Sequence, residues 1–348
     1  MTYQRDFDRR IRIGVIGVGL HSYRTILPAL NYLPVKLEAL CDLNHSILHK
    51  TGQQYGVSRL YTNALEMLAE GQLDAIIVCV DPLANPEIVC AAFDAGFHVW
   101  MEKPPSSRAY QVSEMIDKRG DLIAVVGFKK IFMPTMQKAK QLLESSEAGF
   151  LKTILAEYCV DIPENGRAIL EQKKIDNWLA SGCHPISAML NIGGKVQNVT
   201  TYRASKGGGT VILNFANGVI GMLHLADGMR GACERYSFYS QNHHIVIDDC
   251  RKISLHRGSI DYVKTTDYTS SETSLGSLVW ESQNGLASLE NKAIFSQGFY
   301  NELLYFCDCV LTEKMPTMGT LEFARDVMSV YEAALLSNGQ SVEISEAQ

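Results

Sequence analysis

The residues best suited to chemistry fall in short groups: Gly17-Val18-Gly19 after the apolar run Ile11 to Ile16, Cys41-Asp42 closing the next such run, and Glu102-Lys103-Pro104 further along. Glycines at a strand's end let the backbone turn sharply into a helix. They also let a pyrophosphate approach the turn's N–H groups, which a Cβ would obstruct. Asp42 stands where a carboxylate accepts hydrogen bonds from adenosine ribose hydroxyls and repels a 2′-phosphate, a pattern that favours NAD over NADP. The same position also suits a cap on the following helix. Ser22 replaces the third glycine of the usual G-x-G-x-x-G, so the turn alone says little. A strand before it, a helix after it and an acid at the next strand's end together read as a dinucleotide site. Leu20 and His21 adjoin that turn; His21 would approach the pyrophosphate or line the helix entrance. Gly14, inside the strand, would serve close packing.

Positioning such groups requires a doubly wound sheet, and the pattern supplies one. From residue 11 to about 127, the short runs IRIGVIG, KLEALCD, DAIIVCV, HVWMEK and LIAVVGF read as buried parallel strands. Between them the spacing predicts helices over Ser22 to Tyr32, His45 to Tyr55, Ala64 to Ala69, Pro86 to Ala95 and Ser107 to Lys118. Beyond Gly127 longer alternating runs predict a second, mostly antiparallel α+β domain, giving domains 1–127 and 128–348. Its clearest sign is TVILNFANGVIGMLHLA, where Asn217-Gly218 separates two alternating runs as a hairpin does. Further strands are expected at LKTILAEYCV, VQNVTTYRA, ERYSFYS, HHIVIDD, RKISLHR and near Tyr262. Helices are expected from Phe295 to Leu311 and from Thr320 to Ser337, the last able to pack back on the first domain. The Ser/Thr/Gly-rich stretch Thr265 to Leu289 reads as a long loop.

Composition narrows the function classes. Among 348 residues, 46% are hydrophobic and 20% charged, the balance of a globular protein. A net charge of −6 without a basic block argues against nucleic acid or an anionic membrane as partner. The polar amino terminus and the strand-sized apolar runs point to a cytoplasmic protein. Nine cysteines without a C-x-x-C pair read as reduced thiols and give no metal site.

Glu102-Lys103-Pro104 follows AGFHVWM, with GFKKIFMP at 127–134, GCHPI at 182–186 and SNGQSVEI near the end. In this order the pieces resemble the Gfo/Idh/MocA oxidoreductases, the family of glucose–fructose oxidoreductase and inositol dehydrogenase. The resemblance implies a Rossmann domain followed by a large open antiparallel sheet, and a sugar, cyclitol or polyol substrate oxidised at a secondary alcohol with NAD. It implies that Lys103 hydrogen-bonds the substrate or ribose near the nicotinamide, and that His184 is the general base, both catalytic. Asp81, Asn85 and Glu102 would join the cofactor site. Lys129, Lys130, Tyr158, Asp176 and Trp178 would be candidates for the substrate side. A homodimer or homotetramer built on the open sheet is expected from the same resemblance.

The chain departs from the family's D-x-G-x-H-x-x-D pattern, carrying Ala180 and Ser187 at the acidic positions. Asp176, Asp161 or Glu157 would have to replace the first acid in space. Where relatives read T-P-x-x-x-H, this chain reads Asp81-Pro82-Leu83-Ala84-Asn85. The alternative reading is a non-catalytic, NAD(P)-sensing regulator of the same fold, favoured by the missing acids and opposed by Lys103 and His184.

Overall fold

The structure, a computed structural model, describes residues 6–226, 228, 234–257, 276–282 and 292–344. Strands β1 (Ile11–Ile16), β2 (Val35–Cys41), β3 (Arg59–Tyr61), β4 (Ala75–Val78), β5 (His98–Glu102) and β6 (Ala124–Gly127) form one sheet in the order β3-β2-β1-β4-β5-β6. All neighbours are parallel. Helices cover both faces, so β4 and β6 are buried along their whole length, which is why they read as unbroken apolar runs. Strand order reverses beside β1. In such sheets the crevice at the strands' carboxyl ends, at this reversal, is where ligands bind. Gly14 meets the packing expected of it, since a Cβ there would lie 2.9 Å from Leu73 Cδ1.

Two local features differ from expectation. β3 has only three residues, all half-buried, and leaves no periodic signal. The predicted helix Ser22 to Tyr32 is π-helical over Ser22–Ile26, α-helical over Leu27–Leu30, and then ends.

The second sheet holds β7 (Leu151–Tyr158), β8 (Val196–Arg203), β9 (Gly209–Phe215), β10 (Ile220–Leu225), β11 (Glu234–Ser240), β12 (His243–Asp248), β13 (Lys252–Arg257), β14 (Gly276–Glu281) and β15 (Ser341–Glu343), in the order β14-β13-β12-β11-β7-β10-β9-β8-β15. Pairing is antiparallel except between β7 and β10. The Asn217-Gly218 hairpin joins β9 to β10 as predicted, with Gly218 at φ +84° and Asn217 Oδ1 accepting from Val219 N at 3.2 Å.

The long loop predicted over Thr265 to Leu289 needs correction, because Gly276–Glu281 is an edge strand paired with β13. Its residues are mostly exposed, so no buried alternation marked it. The rest of that stretch, the strand expected near Tyr262 and Cys233 lie outside the described residues. The eight described cysteines are free thiols, four of them buried and four half-buried.

A helix that the sequence reading did not expect, Asn177–Gly193, carries the GCHPI motif. Gly182 and Pro185 both weigh against a helix, and Pro185 removes one backbone donor. Burial overrides them: Trp178, Leu179, Cys183, Ile186, Ala188 and Met189 are all at most 1% exposed. Asp176 caps its first turn, accepting from Leu179 N at 2.6 Å.

Helices Phe299–Thr312 and Leu321–Leu336 return to the first sheet. Glu332 Oε1 accepts from Ala109 N at 2.7 Å and pairs with Arg108 Nε at 2.9 Å; Arg119 pairs with Glu322 at 3.0 Å; Val126 N donates to Gly319 O at 2.7 Å. The carboxy-terminal segment thereby packs along helix Ala109–Arg119 of the Rossmann layer.

Candidate active site

The glycine turn occupies the switch point. Gly17 has φ +91°, and a Cβ there would lie 2.2 Å from Cys79 O on the neighbouring strand, so only glycine fits. A Cβ at Gly19 would meet nothing within 4 Å: it faces the open crevice, the space a pyrophosphate would fill. Asp42 Oδ2 accepts from Val18 N at 2.9 Å and Oδ1 from Asn44 N at 2.8 Å. The capping alternative for Asp42 is corrected, because Asn44 caps helix His45–Tyr55, its Oδ1 accepting from Ser46 N and Ile47 N. Asp42 instead ties the glycine turn to the end of β2 and stays half-buried at the crevice. Leu20 is exposed beside the turn. His21 approaches Glu102, Nε2 to Oε2 3.3 Å, and its ring lies 5.6 Å from that of Phe299. The cradle at Gly17 and Gly19 fits a dinucleotide.

Lys103 leaves the end of β5 and reaches the second domain, where Nζ donates to Ala180 O at 3.0 Å. The residue that replaces the family's first acid therefore still holds the lysine, through its carbonyl. One turn further along the same helix stands His184, 8% exposed, with Nδ1 unpartnered among the described residues. Burial pushes its pKa well below the usual imidazole value, and the positive charges of Lys103, Lys129, Lys130 and His21 push the same way. His184 is neutral at pH 7, the form a proton acceptor needs. Ser187, at the second replaced acid, is buried and its hydroxyl donates to His184 O at 2.9 Å. Tyr158 sits with its ring 6.2 Å from that of His184, and burial raises its phenol far above the ordinary range, so it stays protonated.

Lys129 and Lys130 differ sharply. Lys130 is buried, with Nζ 2.5 Å from Glu234 Oε2 and 3.3 Å from Cys250 Sγ. Burial opposes its charge, but Glu234 outweighs that and raises its pKa. Lys129 is half-buried. Its Nζ donates to Gln297 Oε1 at 2.8 Å and lies 4.3 Å from the centre of the Phe299 ring. Burial, reinforced by Lys130, lowers its pKa to about 8. Below them Glu302 is fully buried with both carboxyl oxygens unpartnered among the described residues. Burial and then Glu102 raise its pKa well above the carboxylate range, against the pull of Lys129 and Lys103.

Several sequence candidates take other roles. Trp178 is wholly buried, donating Nε1–H to Tyr331 O at 3.3 Å; it is core at the domain junction, which corrects its proposal as a stacking platform. Asp176 Oδ1 caps the helix, while its Oδ2 is buried and unpartnered among the described residues, and burial raises its pKa. Asn85 is buried with Nδ2 donating one N–H to Pro104 O at 3.2 Å, bracing the turn behind Lys103, and its Oδ1 is unpartnered among the described residues. Asp81 is exposed and closes its own turn, Oδ1 accepting from Leu83 N at 2.9 Å. Asp161 accepts from Gly208 N.

Gln297, Phe299, Glu302 and the Ala180 carbonyl were not anticipated. The helix near Phe295 was legible, but which of its faces meets the first domain was not.

A doubly wound parallel sheet with a glycine turn at its switch point defines a dinucleotide-binding domain, and here a lysine and a buried neutral histidine face that turn's crevice. Residues 11–128 match the Gfo/Idh/MocA family, described as "Oxidoreductase family, NAD-binding Rossmann fold". A stretch of 147 residues is 31% identical to the myo-inositol 2-dehydrogenase of Thermotoga maritima, covering 40% of this chain and 42% of that protein. A stretch of 188 residues is 26% identical to the inositol 2-dehydrogenase/D-chiro-inositol 3-dehydrogenase of Lactiplantibacillus plantarum, covering 49% and 52%. These matches span only about half of the curated relatives' length. Levoglucosan dehydrogenase, solved with NADH and levoglucosan, shares the fold at a TM-score of 0.80 over 97% of this chain and 100% of that one, with 15% identity. An oxidoreductase from Agrobacterium radiobacter, solved with NAD+, L-tartaric acid and magnesium, does so at 0.79 over 96% and 98%, with 16% identity.

Proposed function

We propose that the chain is an NAD-dependent dehydrogenase that interconverts a secondary alcohol and its ketone on a sugar, cyclitol or polyol derivative. The observation that carries this reading is the Lys103 Nζ to Ala180 O contact at 3.0 Å, which brings the lysine from the Rossmann crevice to within one helical turn of His184. Bound at Gly17, Gly19 and Asp42, NAD+ supplies a hydride acceptor at nicotinamide C4. His184, kept neutral by burial, takes the hydroxyl proton; Lys103 donates a hydrogen bond to the same oxygen and stabilises its developing negative charge. Asn85, through Pro104, and the Ala180 carbonyl hold Lys103 in place. Asp42 accepts from the ribose hydroxyls and disfavours a 2′-phosphate. The names of the inositol and levoglucosan dehydrogenases support the substrate class.

The regulator reading rested on the missing acids, and it loses force because Ala180 retains a grip on Lys103 by its backbone. We further propose a homo-oligomer built on the open face of the second sheet, where Tyr202, Ile220 and Met222 are exposed.

The test is NAD+ reduction, followed by NADH absorbance, against inositols, aldoses and sugar acids, with Lys103→Ala beside the wild type. Turnover lost in the variant is the expected result. Turnover unchanged in the variant would remove Lys103 from the mechanism, and silence of the wild type across the panel would remove the substrate class.

A further inference from the structure

The cleft's lysines are unevenly paired. Lys103, Lys129 and Lys130 enter it together, and Lys130 alone has a carboxylate at contact distance, Glu234 at 2.5 Å. Lys103 donates to a carbonyl and Lys129 to an amide oxygen, both neutral, and among the described residues neither forms an ion pair. Two further acids, Glu102 and Glu302, lie near these lysines, and among the described residues neither forms an ion pair with them. Glu102 faces His21 at 3.3 Å, while Glu302 is fully buried, cannot touch a ligand, and favours its neutral form because burial and Glu102 both oppose its charge. The two positions where relatives place carboxylates hold Ala180 and Ser187. The lysines Lys103, Lys129 and Lys130 all push the His184 pKa down. A half-buried ammonium with only an amide and a ring face at contact distance has no contacting counter-charge; Glu102 and Glu302 favour its charged form from further off, while burial, Lys130 and Lys103 oppose it.

We propose that the ligand brings that counter-charge: the substrate is a sugar acid whose carboxylate docks on Lys129 while its secondary alcohol lies between Lys103 and His184. This rests on the dehydrogenase reading for the alcohol end, and on Lys129 for the acid end. A single unpaired ammonium beyond Lys103 suits a monoanion. The geometry agrees, because Lys129 is held from two sides, by Gln297 and by the Phe299 ring, which aims its head group rather than leaving it to sweep solvent. The sequence pattern alone hid this, since Lys129 and Lys130 are adjacent and look equivalent.

Binding separates this inference from the reading it extends. The NADH-loaded protein is titrated calorimetrically with matched pairs, D-glucuronate against D-glucose and D-galacturonate against D-galactose; turnover of the same compounds with NAD+ is measured separately. In at least one pair the acid binds roughly 10-fold or more tighter, the scale of one charge-assisted hydrogen bond. Lys129→Met abolishes the preference; Lys129→Arg retains it. In the wild type, without any substitution, the preference fades as pH rises through about 8, where Lys129 loses its proton. Equal affinity for acid and neutral sugar in both pairs overturns the inference, as does a preference that survives Lys129→Met or is indifferent to pH. Preferential acid binding without oxidation would leave this inference standing and refute the dehydrogenase reading. Oxidation of neutral sugars with no acid preference would do the reverse.

Discussion

Lys103 leaves the end of β5 and donates to the Ala180 carbonyl, one turn before His184 on helix Asn177–Gly193. Lys103→Ala is expected to lower kcat by about 10²- to 10⁴-fold while NADH affinity, measured by fluorescence titration, stays within about 2-fold of the wild type. A collapse of NADH affinity would show a structural lysine instead. His184 carries the pH argument. Its pKa lies well below the ordinary imidazole value, so it remains the neutral acceptor as pH falls through that value, and it protonates only further down. The acid limb of kcat/KM should therefore lie below the usual histidine range of about 6.5. A limb centred at the ordinary value would assign the base to another group. Asp42→Ala should weaken NADH binding and raise the ratio of NADPH to NADH affinity, since the carboxylate that repels a 2′-phosphate is gone. An unchanged ratio would take Asp42 out of the ribose site.

Elements, not single residues, set these side chains in place. The turn after β1 can adopt its path only with glycine at 17, because a Cβ would overlap the Cys79 carbonyl at 2.2 Å. Gly17→Ala should abolish NADH binding and lower the melting temperature; retained binding would mean that the turn can relax away from β4. Helix Asn177–Gly193 holds His184 although Gly182 and Pro185 weaken it, and the Asp176 cap supplies part of the compensation. Asp176→Ala should cost about 1 kcal/mol of unfolding free energy in denaturant titration, with kcat nearly intact. A large loss of kcat at unchanged stability would return Asp176 to the chemistry.

At the scale of the whole molecule, the carboxy-terminal helices lock the two domains around the cleft. Glu332 alone receives both the Ala109 amide and the Arg108 guanidinium across the junction. The second sheet also leaves an apolar stripe open: Met222 on β10 lies level with Leu155 on β7 and Ile212 on β9, beside exposed Ile220 and Tyr202. Met222→Lys should shift the protein toward a monomer in sedimentation velocity. If the wild type is already a monomer, the stripe is not an oligomer interface.

The sequence by itself determined the parallel sheet, the glycine turn and the hairpin at Asn217-Gly218, because each depends on local periodicity or on a backbone conformation that few residues adopt. It also placed Lys103 at a strand's carboxyl end, the position where open sheets bind ligands. It could not show helix Asn177–Gly193, where glycine and proline argue locally against the conformation that burial imposes. Nor could it separate Lys129 from Lys130, or Trp178 in the core from an aromatic in the cleft. Those differences come from partners far along the chain, Glu234, Gln297 and Tyr331. Charge compensation and burial are properties of the folded contacts, so only the tertiary structure decided that Lys130 is ion-paired and that Lys129 is held by an amide and a ring.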